Sequence, residues 1–237
     1  KNIIGKILNL VTVKSRDIIE IGPGHGSLTD EIIKLKPKSL CMIEKDIFLS
    51  KKLEQKYKNY KKVKIYNEDI LHFPLEKILK KNSVIIGNLP YNISSQILVK
   101  ILRFKKCPPK FSDIIFMFQK ELGEKIIGDF SSKNYGRLSI ITNFRFYIKD
   151  KFLVSRNCFF PKPKITSMVI HFQPKENNLY KIRRISNLEK VTNIIFSNKR
   201  KMVNKSLKKI INLNEVNKII GLKTNLRPSE LKPEVYY

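Results

Sequence analysis

Five apolar runs of strand length alternate with amphipathic stretches between residues 17 and 118: Asp17–Ile21, Ser39–Glu44, Val63–Tyr66, Ser83–Gly87 and Asp113–Phe118. Helical periodicity fills the gaps, as in Ser27–Leu35 and Ile47–Tyr57. Strands without polar alternation are buried on both faces, and strands separated by helices run parallel. The pattern therefore predicts an α/β chain with a mostly parallel sheet covered on both sides. Ser139–Ile148 and Ser167–Phe172 read as two further strands that can pair antiparallel at one edge. The opening Lys1–Val13 reads as an amphipathic helix with Ile3, Ile4, Ile7, Leu8 and Val11 on one face. After Pro174 the strands stop, and Leu188–Phe196, Arg200–Ile211 and Glu215–Ile220 read as helices. The expected division is an α/β domain over residues 1–174 and a small all-α C-terminal domain over 175–237.

Charge points to the partner. Lys and Arg number 48 against 20 Asp and Glu, a net of +28 in 237 residues. Residues 175–237 hold 15 Lys and Arg against 5 Asp and Glu, a net of +10, so +18 of the +28 lies before them and both parts are basic. A composition rich in Lys, Asn and Ile supplies part of this excess. The remainder favours a polyanion, with nucleic acid as first candidate. Cys41, Cys107 and Cys158 are odd in number and far apart, which argues against a disulfide framework or a zinc site and for a reducing compartment. No apolar run approaches the roughly 20 residues that span a bilayer.

The first chemical signal is Glu20-Ile21-Gly22-Pro23-Gly24-His25-Gly26, between a strand and a helix. Glycines suit a backbone that turns tightly and approaches a ligand closely. This is G-x-G-x-G with an acid two residues earlier; Ser27 stands where a dinucleotide loop has its third glycine. Glu44 ends the second strand, where an acid can accept from both hydroxyls of a ribose. Asp69 follows the third, where it can accept from an adenine amine while Ile70 packs on the ring. In a parallel sheet these groups, with Glu20, Gly22 and Gly24, gather at the carboxyl ends of the strands. No lysine-bearing phosphate loop is present, so the set suits a ligand with adenosine and no phosphates.

The fourth strand runs into Asn88-Leu89-Pro90-Tyr91-Asn92-Ile93-Ser94. Asn88–Tyr91 resembles the [DN]-x-P-Y motif of class I methyltransferases that act on the amines of nucleobases. The Asn88 amide oxygen and the Leu89 carbonyl can each accept one amine hydrogen, which aims the nitrogen lone pair at a methyl donor. Pro90 stiffens the turn, and Tyr91 can stack on a flipped base.

The chain resembles the KsgA-type ribosomal RNA adenine dimethyltransferases from about Asp17 to Pro174, with further matches in the tail. The matching segments are Glu20–Thr29, Asn88–Ser94, Gln119–Glu121, Lys133–Ser139, Phe159–Lys164, Phe196–Lys201 and Leu226–Leu231, in the family's order. The resemblance implies a class I S-adenosylmethionine-dependent methyltransferase sheet. Gly22, Glu44, Asp69 and Asn88 would line the cofactor site, with Phe159 as the second aromatic face against the target adenine. It further implies dimethylation of two adjacent adenosines in a hairpin loop near the 3′ end of small-subunit rRNA. Lys199, Arg200 and Lys201 are the expected RNA contacts. A monomer without a metal, acting in the cytoplasm of a bacterial cell by default, completes the expectation; an organelle stays open. The family's Gln-Asn-Phe-Leu segment, which covers cofactor and target, has its place before residue 1. Thr166 stands where the family usually has Asp, a surface or turn difference. Two alternatives remain at this point: a large-subunit methyltransferase of the macrolide-resistance type, and a non-catalytic assembly or transcription factor on the same fold. Leu89 and Lys133–Ser139 argue against the first, and an intact Asn88–Tyr91 against the second.

Overall fold

A computed structural model describes residues 2–158, 165–176, 180, 182, 184–216 and 218–237. Helix α1 (Asn2–Leu8) precedes β1 (Asp17–Ile21), α2 (Ser27–Lys34), β2 (Ser39–Glu44), α3 (Ile47–Tyr57), β3 (Val63–Asn67) and α4 (Leu75–Ile78). Then follow β4 (Ser83–Asn88), α5 (Ser94–Leu102), β5 (Phe111–Gln119), α6 (Lys120–Ile126), α7 (Arg137–Arg145), β6 (Phe146–Val154) and β7 (Ser167–Pro174). The tail holds α8 (Ile185–Phe196), α9 (Asn204–Leu207) and α10 (Leu213–Val216).

The seven strands form one sheet in the order β3-β2-β1-β4-β5-β7-β6. Neighbours from β3 to β5 are parallel, and β7 runs antiparallel to β5. The chain leaves β3 at one edge and re-enters at β4 on the far side of β1. The strand order therefore reverses between β1 and β4, where an open α/β sheet places its ligand crevice. Burial follows the apolar runs: Ile18, Ile21, Leu40, Met42, Ile43, Phe116, Phe118 and Phe172 are almost fully enclosed. On α1, Ile7 and Leu8 are buried, while Ile3, Ile4 and Val11 pack partly against the same core.

The chain clusters into two compact units. One comprises Lys1–Gly123 and Tyr147–Glu176, the other Glu124–Phe146 and Asn177–Tyr237. The second unit thus draws on α7 as well as on the tail, and is helical among the described residues.

The expected strand Ser139–Ile148 is corrected: its first part is helix α7, and only its end enters β6. A short run of Ile, Thr and Phe fits either period. Here the Ser139 hydroxyl accepts from the Gly136 backbone N–H at 3.1 Å, satisfying a donor at the helix start. Ile140, Ile141 and Phe144 then fall on one buried helical face. The charged Lys149, Asp150 and Lys151 lie within β6 at the sheet's edge, where charge discourages pairing with another chain. The helices expected over Arg200–Ile211 and Glu215–Ile220 shrink to α9 and α10. Such short polar segments recover little of the cost of nucleating a helix.

Candidate active site

The loop after β1 bends through three left-handed glycines, Gly22 (φ 66°), Gly24 (φ 57°) and Gly26 (φ 82°), a region that penalises any Cβ. Gly26 also lacks room for a side chain, since an added Cβ would lie 2.5 Å from the Tyr57 hydroxyl. Apart from Gly24 and its chain neighbours, no atom of the described residues lies within 4 Å of a Cβ added at Gly24, so among them the space on its side is open.

Glu44 ends β2 and is almost buried. Its Oε2 accepts from the Gly24 N–H at 3.1 Å and its Oε1 from the Asp46 N–H at 3.0 Å. The carboxylate thereby ties the glycine loop to the start of α3, and each oxygen keeps a lone pair for a further donor. Asn67 donates to the carbonyls of Glu44 (3.0 Å) and Lys45 (3.1 Å), joining the ends of β2 and β3. Asp69 accepts from the Leu71 N–H at 2.9 Å and pairs with Lys45 at 2.9 Å. The Lys45 ammonium and the Leu71 N–H hold its carboxyl below the usual range. Ile70 is buried beside it.

Glu20 occupies a different position. It is 1% exposed, and its Oε2 accepts from the Thr29 hydroxyl at 2.7 Å. Burial pushes its carboxyl up to about 7, against the Thr29 bond and with help from the charges of Asp30 and Glu44. The folded chain then binds more protons than the unfolded chain between pH 4.5 and 7. Stability falls as pH rises through that window. Glu20→Gln removes this loss, so its stability relative to the parent should rise by about 2–3 kcal/mol from pH 5 to pH 8. Urea melts of both proteins at the two pH values check this; a constant difference would contradict it.

At the end of β4, Asn88 is exposed, Leu89 is 2% exposed and Pro90 is exposed. A Cβ added to Gly22 would lie 3.7 Å from Pro90 Cδ and 3.8 Å from the Asn88 carbonyl oxygen, so the β1 and β4 loops abut. The Tyr91 hydroxyl hydrogen-bonds the buried Ser167 hydroxyl at 2.6 Å, which anchors the ring to the start of β7. Ser94 donates to the Tyr91 carbonyl at 3.1 Å. The Thr166 carbonyl accepts from the Lys120 N–H at 3.0 Å, a turn contact beside Ser167. Gly22, Gly24, Glu44, Asp69, Ile70 and Asn88–Tyr91 thus come together at the carboxyl ends of β1 to β4. Phe159 and the rest of 159–164 lie outside the described residues. The set presents carboxylates, an amide and open glycine backbone, which fits a cofactor with hydroxyls, an amine and no phosphate. No group of three or more His, Cys, Asp or Glu among the described residues could hold a metal, and no helix among them is long and apolar enough to cross a membrane.

Three supporting groups escape a motif reading: Lys45 on Asp69, Ser167 on Tyr91, and Lys100. The Lys100 ammonium donates to the carbonyls of Ile70, Leu71 and Phe73. Nothing in the local sequence around any of the three marks it.

The second unit gathers three of the separated segments. Tyr135 sits 6.5 Å from Phe196 between ring centroids and donates its hydroxyl to the Leu231 carbonyl at 3.1 Å. Tyr236 donates to the Pro228 carbonyl at 2.6 Å. Lys199, Arg200 and Lys201 are exposed, as are Lys133 and Arg137, and Lys199 Nζ lies 3.9 Å from the position of a Cβ added to Gly136.

The family model described as ribosomal RNA adenine dimethylase matches residues 1–232. A protein of Pelagibacter ubique (strain HTCC1062) described as ribosomal RNA small subunit methyltransferase A is 39% identical, over 100% of this chain and 90% of its own length. The crystal structure of a dimethyladenosine transferase from Plasmodium falciparum superposes with a TM-score of 0.80 at 24% identity, covering 99% of this chain and 92% of that one. The 23S rRNA methyltransferase ErmE gives 0.74 at 22% identity, covering 100% and 94%. These two share the fold, and the match over nearly the whole sequence decides the rest: the chain belongs to the ribosomal RNA adenine dimethylase family.

Proposed function

We propose that this enzyme transfers methyl groups from S-adenosylmethionine to the N6 amines of two adjacent adenosines in a hairpin loop near the 3′ end of small-subunit rRNA, giving N6,N6-dimethyladenosine. The observation that carries the reading is Asn88-Leu89-Pro90-Tyr91 at the end of β4, abutting the open glycine loop while Ser167 anchors Tyr91. The name of the relative in Pelagibacter ubique supports the small subunit as substrate.

The cofactor supplies an electrophilic methyl on its sulfonium. Glu44 accepts from the ribose hydroxyls, Asp69 accepts from the adenine amine, and Ile70 packs on the purine. Gly22 and Gly24 let the backbone approach, and Glu20 supports their loop from below through Thr29. The Asn88 amide oxygen and the Leu89 carbonyl hold the two hydrogens of the target amine. That geometry makes its nitrogen more tetrahedral and points the lone pair at the methyl carbon. Pro90 fixes the turn, and Tyr91 stacks on the flipped adenine with Phe159 on its other face. Each transfer would break the donor's S–CH3 bond as the N–CH3 bond forms and release one N6 proton to water, and at the second transfer one of the two acceptors would hold the single hydrogen left. Positioning supplies most of the acceleration, so no strong base is required. A loop target suits the site because unpaired bases cost less to flip. The partner is the immature small subunit, met by a monomer in a bacterial cytoplasm.

Lys199, Arg200 and Lys201 contact rRNA phosphates in this reading. Each such contact adds roughly 0.7–0.9 to the slope of log affinity against log salt. Replacing all three by alanine should lower the slope for small-subunit binding by roughly 2. Filter binding at a series of salt concentrations measures it, and an unchanged slope would remove these residues from the RNA interface. The substrate itself is tested by offering labelled methyl donor with unmethylated small or large subunits. Label should enter only the small-subunit RNA; label in the large subunit alone would overturn the assignment.

A further inference from the structure

Lys100 stands on α5, whose apolar face buries Ile97, Leu98, Ile101 and Leu102. Its ammonium reaches back to the loop after β3 and donates to Ile70 O at 2.7 Å, Leu71 O at 2.9 Å and Phe73 O at 2.5 Å. An ammonium has three donors, and three carbonyls use all of them. A lysine so engaged is poorly placed to meet an RNA phosphate, although α5 borders an open groove with His72, Gln96 and Arg103. Among the described residues no carboxylate bonds it directly, and burial lowers its affinity for the proton while the nearby Asp69 charge partly offsets this. Lys100 is only partly buried and itself lines that groove, yet its ammonium turns back onto three neutral carbonyls instead of out to water.

The loop it clamps is the one that bears Asp69 and Ile70. Within it, His72 and Phe73 N–H groups both donate to the Asp69 carbonyl at 2.9 Å, and the Leu71 N–H donates to the Asp69 carboxylate. Loop and side chain are therefore set together, and Lys100 fixes the outer turn. The helix bearing Lys100 grows directly from the target-base segment: Ile93 N–H donates to Pro90 O at 3.2 Å and Ile97 N–H to Ile93 O at 3.0 Å. One helix thus touches both halves of the site.

We propose that Lys100 is a positioning residue for the cofactor's adenine, holding Asp69 and Ile70 in place from the helix that begins at the catalytic segment. The inference rests on reading Asp69 as the acceptor of the adenine amine. It acts on cofactor affinity and leaves the methyl-transfer step at saturating cofactor nearly unchanged.

The test compares S-adenosylhomocysteine with its analogue lacking the 6-amino group, titrated calorimetrically into wild type and Lys100→Met at a temperature where circular dichroism shows both folded. Lys100→Met should weaken S-adenosylhomocysteine about ten-fold and the analogue less than about three-fold, because only the first uses the Asp69 bond. The KM for S-adenosylmethionine should rise with kcat within about two-fold, and Lys100→Arg should recover part of the affinity. If Lys100→Met is not folded, Lys100→Gln takes its place in the same titrations. Unaltered affinity in a folded variant, or equal weakening of both ligands, overturns the inference. A wild type that binds the two ligands equally well overturns the Asp69 reading itself, and the inference with it; discrimination by wild type with no change on substitution removes the inference alone.

Discussion

Replacing Asn88 by alanine should slow methyl transfer on the order of 100-fold or more while changing RNA affinity little. Asn88 is exposed at the end of β4, beside the Gly22 loop, so its amide is available to a target amine without disturbing the core. Removing one preorganised acceptor from the atom where charge develops costs about that much, by analogy with the loss of one oxyanion-hole donor. Fold stability should barely change, because β4 is held by its register with β1 and β5 and by the buried Val84, Ile85 and Ile86. Single-turnover transfer to unmethylated small subunits, at saturating cofactor and substrate, isolates the chemical step. Impaired turnover should leave monomethyladenosine as an accumulating species. Near-normal turnover would refute the mechanism while leaving the family membership untouched.

Glu44→Ala should weaken cofactor binding by roughly 1.5–3 kcal/mol, or about 10- to 150-fold in Kd. Two losses combine. The ribose hydroxyls lose a charged acceptor, and Gly24 and Asp46 lose the carboxylate that fixes their N–H groups. Glu44→Gln retains one acceptor oxygen and should fall between the two. Calorimetric titration with S-adenosylhomocysteine measures the ladder, and a variant that binds like wild type would exclude Glu44 from the ribose.

The central sheet was legible in the sequence because β1, β2, β4 and β5 are largely apolar runs separated by helical spacing, and burial leaves them few alternatives. β3 departs from the buried strand expected over Val63–Tyr66, since it lies at the sheet's edge, only partly buried and with Lys64 exposed. Ser139–Ile148 was not, because a short apolar run carries no decisive period and the deciding contact, Ser139 to Gly136, is a helix-start bond. The candidate-site residues at or near strand ends were legible for a related reason. Gly22 follows β1 directly, Glu44 and Asn88 end β2 and β4, and Asp69 lies two residues past β3, so locating the strand locates the residue. Their supports were hidden. Ser167 meets Tyr91 across 76 residues of sequence, and Lys100 meets Ile70 across 30. A lysine on an amphipathic helix reads as a solvated face until the fold brings three carbonyls to it. Glu20 shows the converse: its place beside the glycines suggests a ligand contact, whereas the fold encloses its carboxylate against Thr29.

The most direct test of the account is the chemical identity of the product. Unmethylated small subunits are incubated with the enzyme and S-adenosylmethionine, and the rRNA is digested to nucleosides and mapped by mass. N6,N6-dimethyladenosine should appear at two adjacent positions of a hairpin loop near the 3′ end, with Asn88→Ala at matched times giving on the order of 100-fold less of it. Methyl groups found only on cytosine, guanine or protein would contradict it.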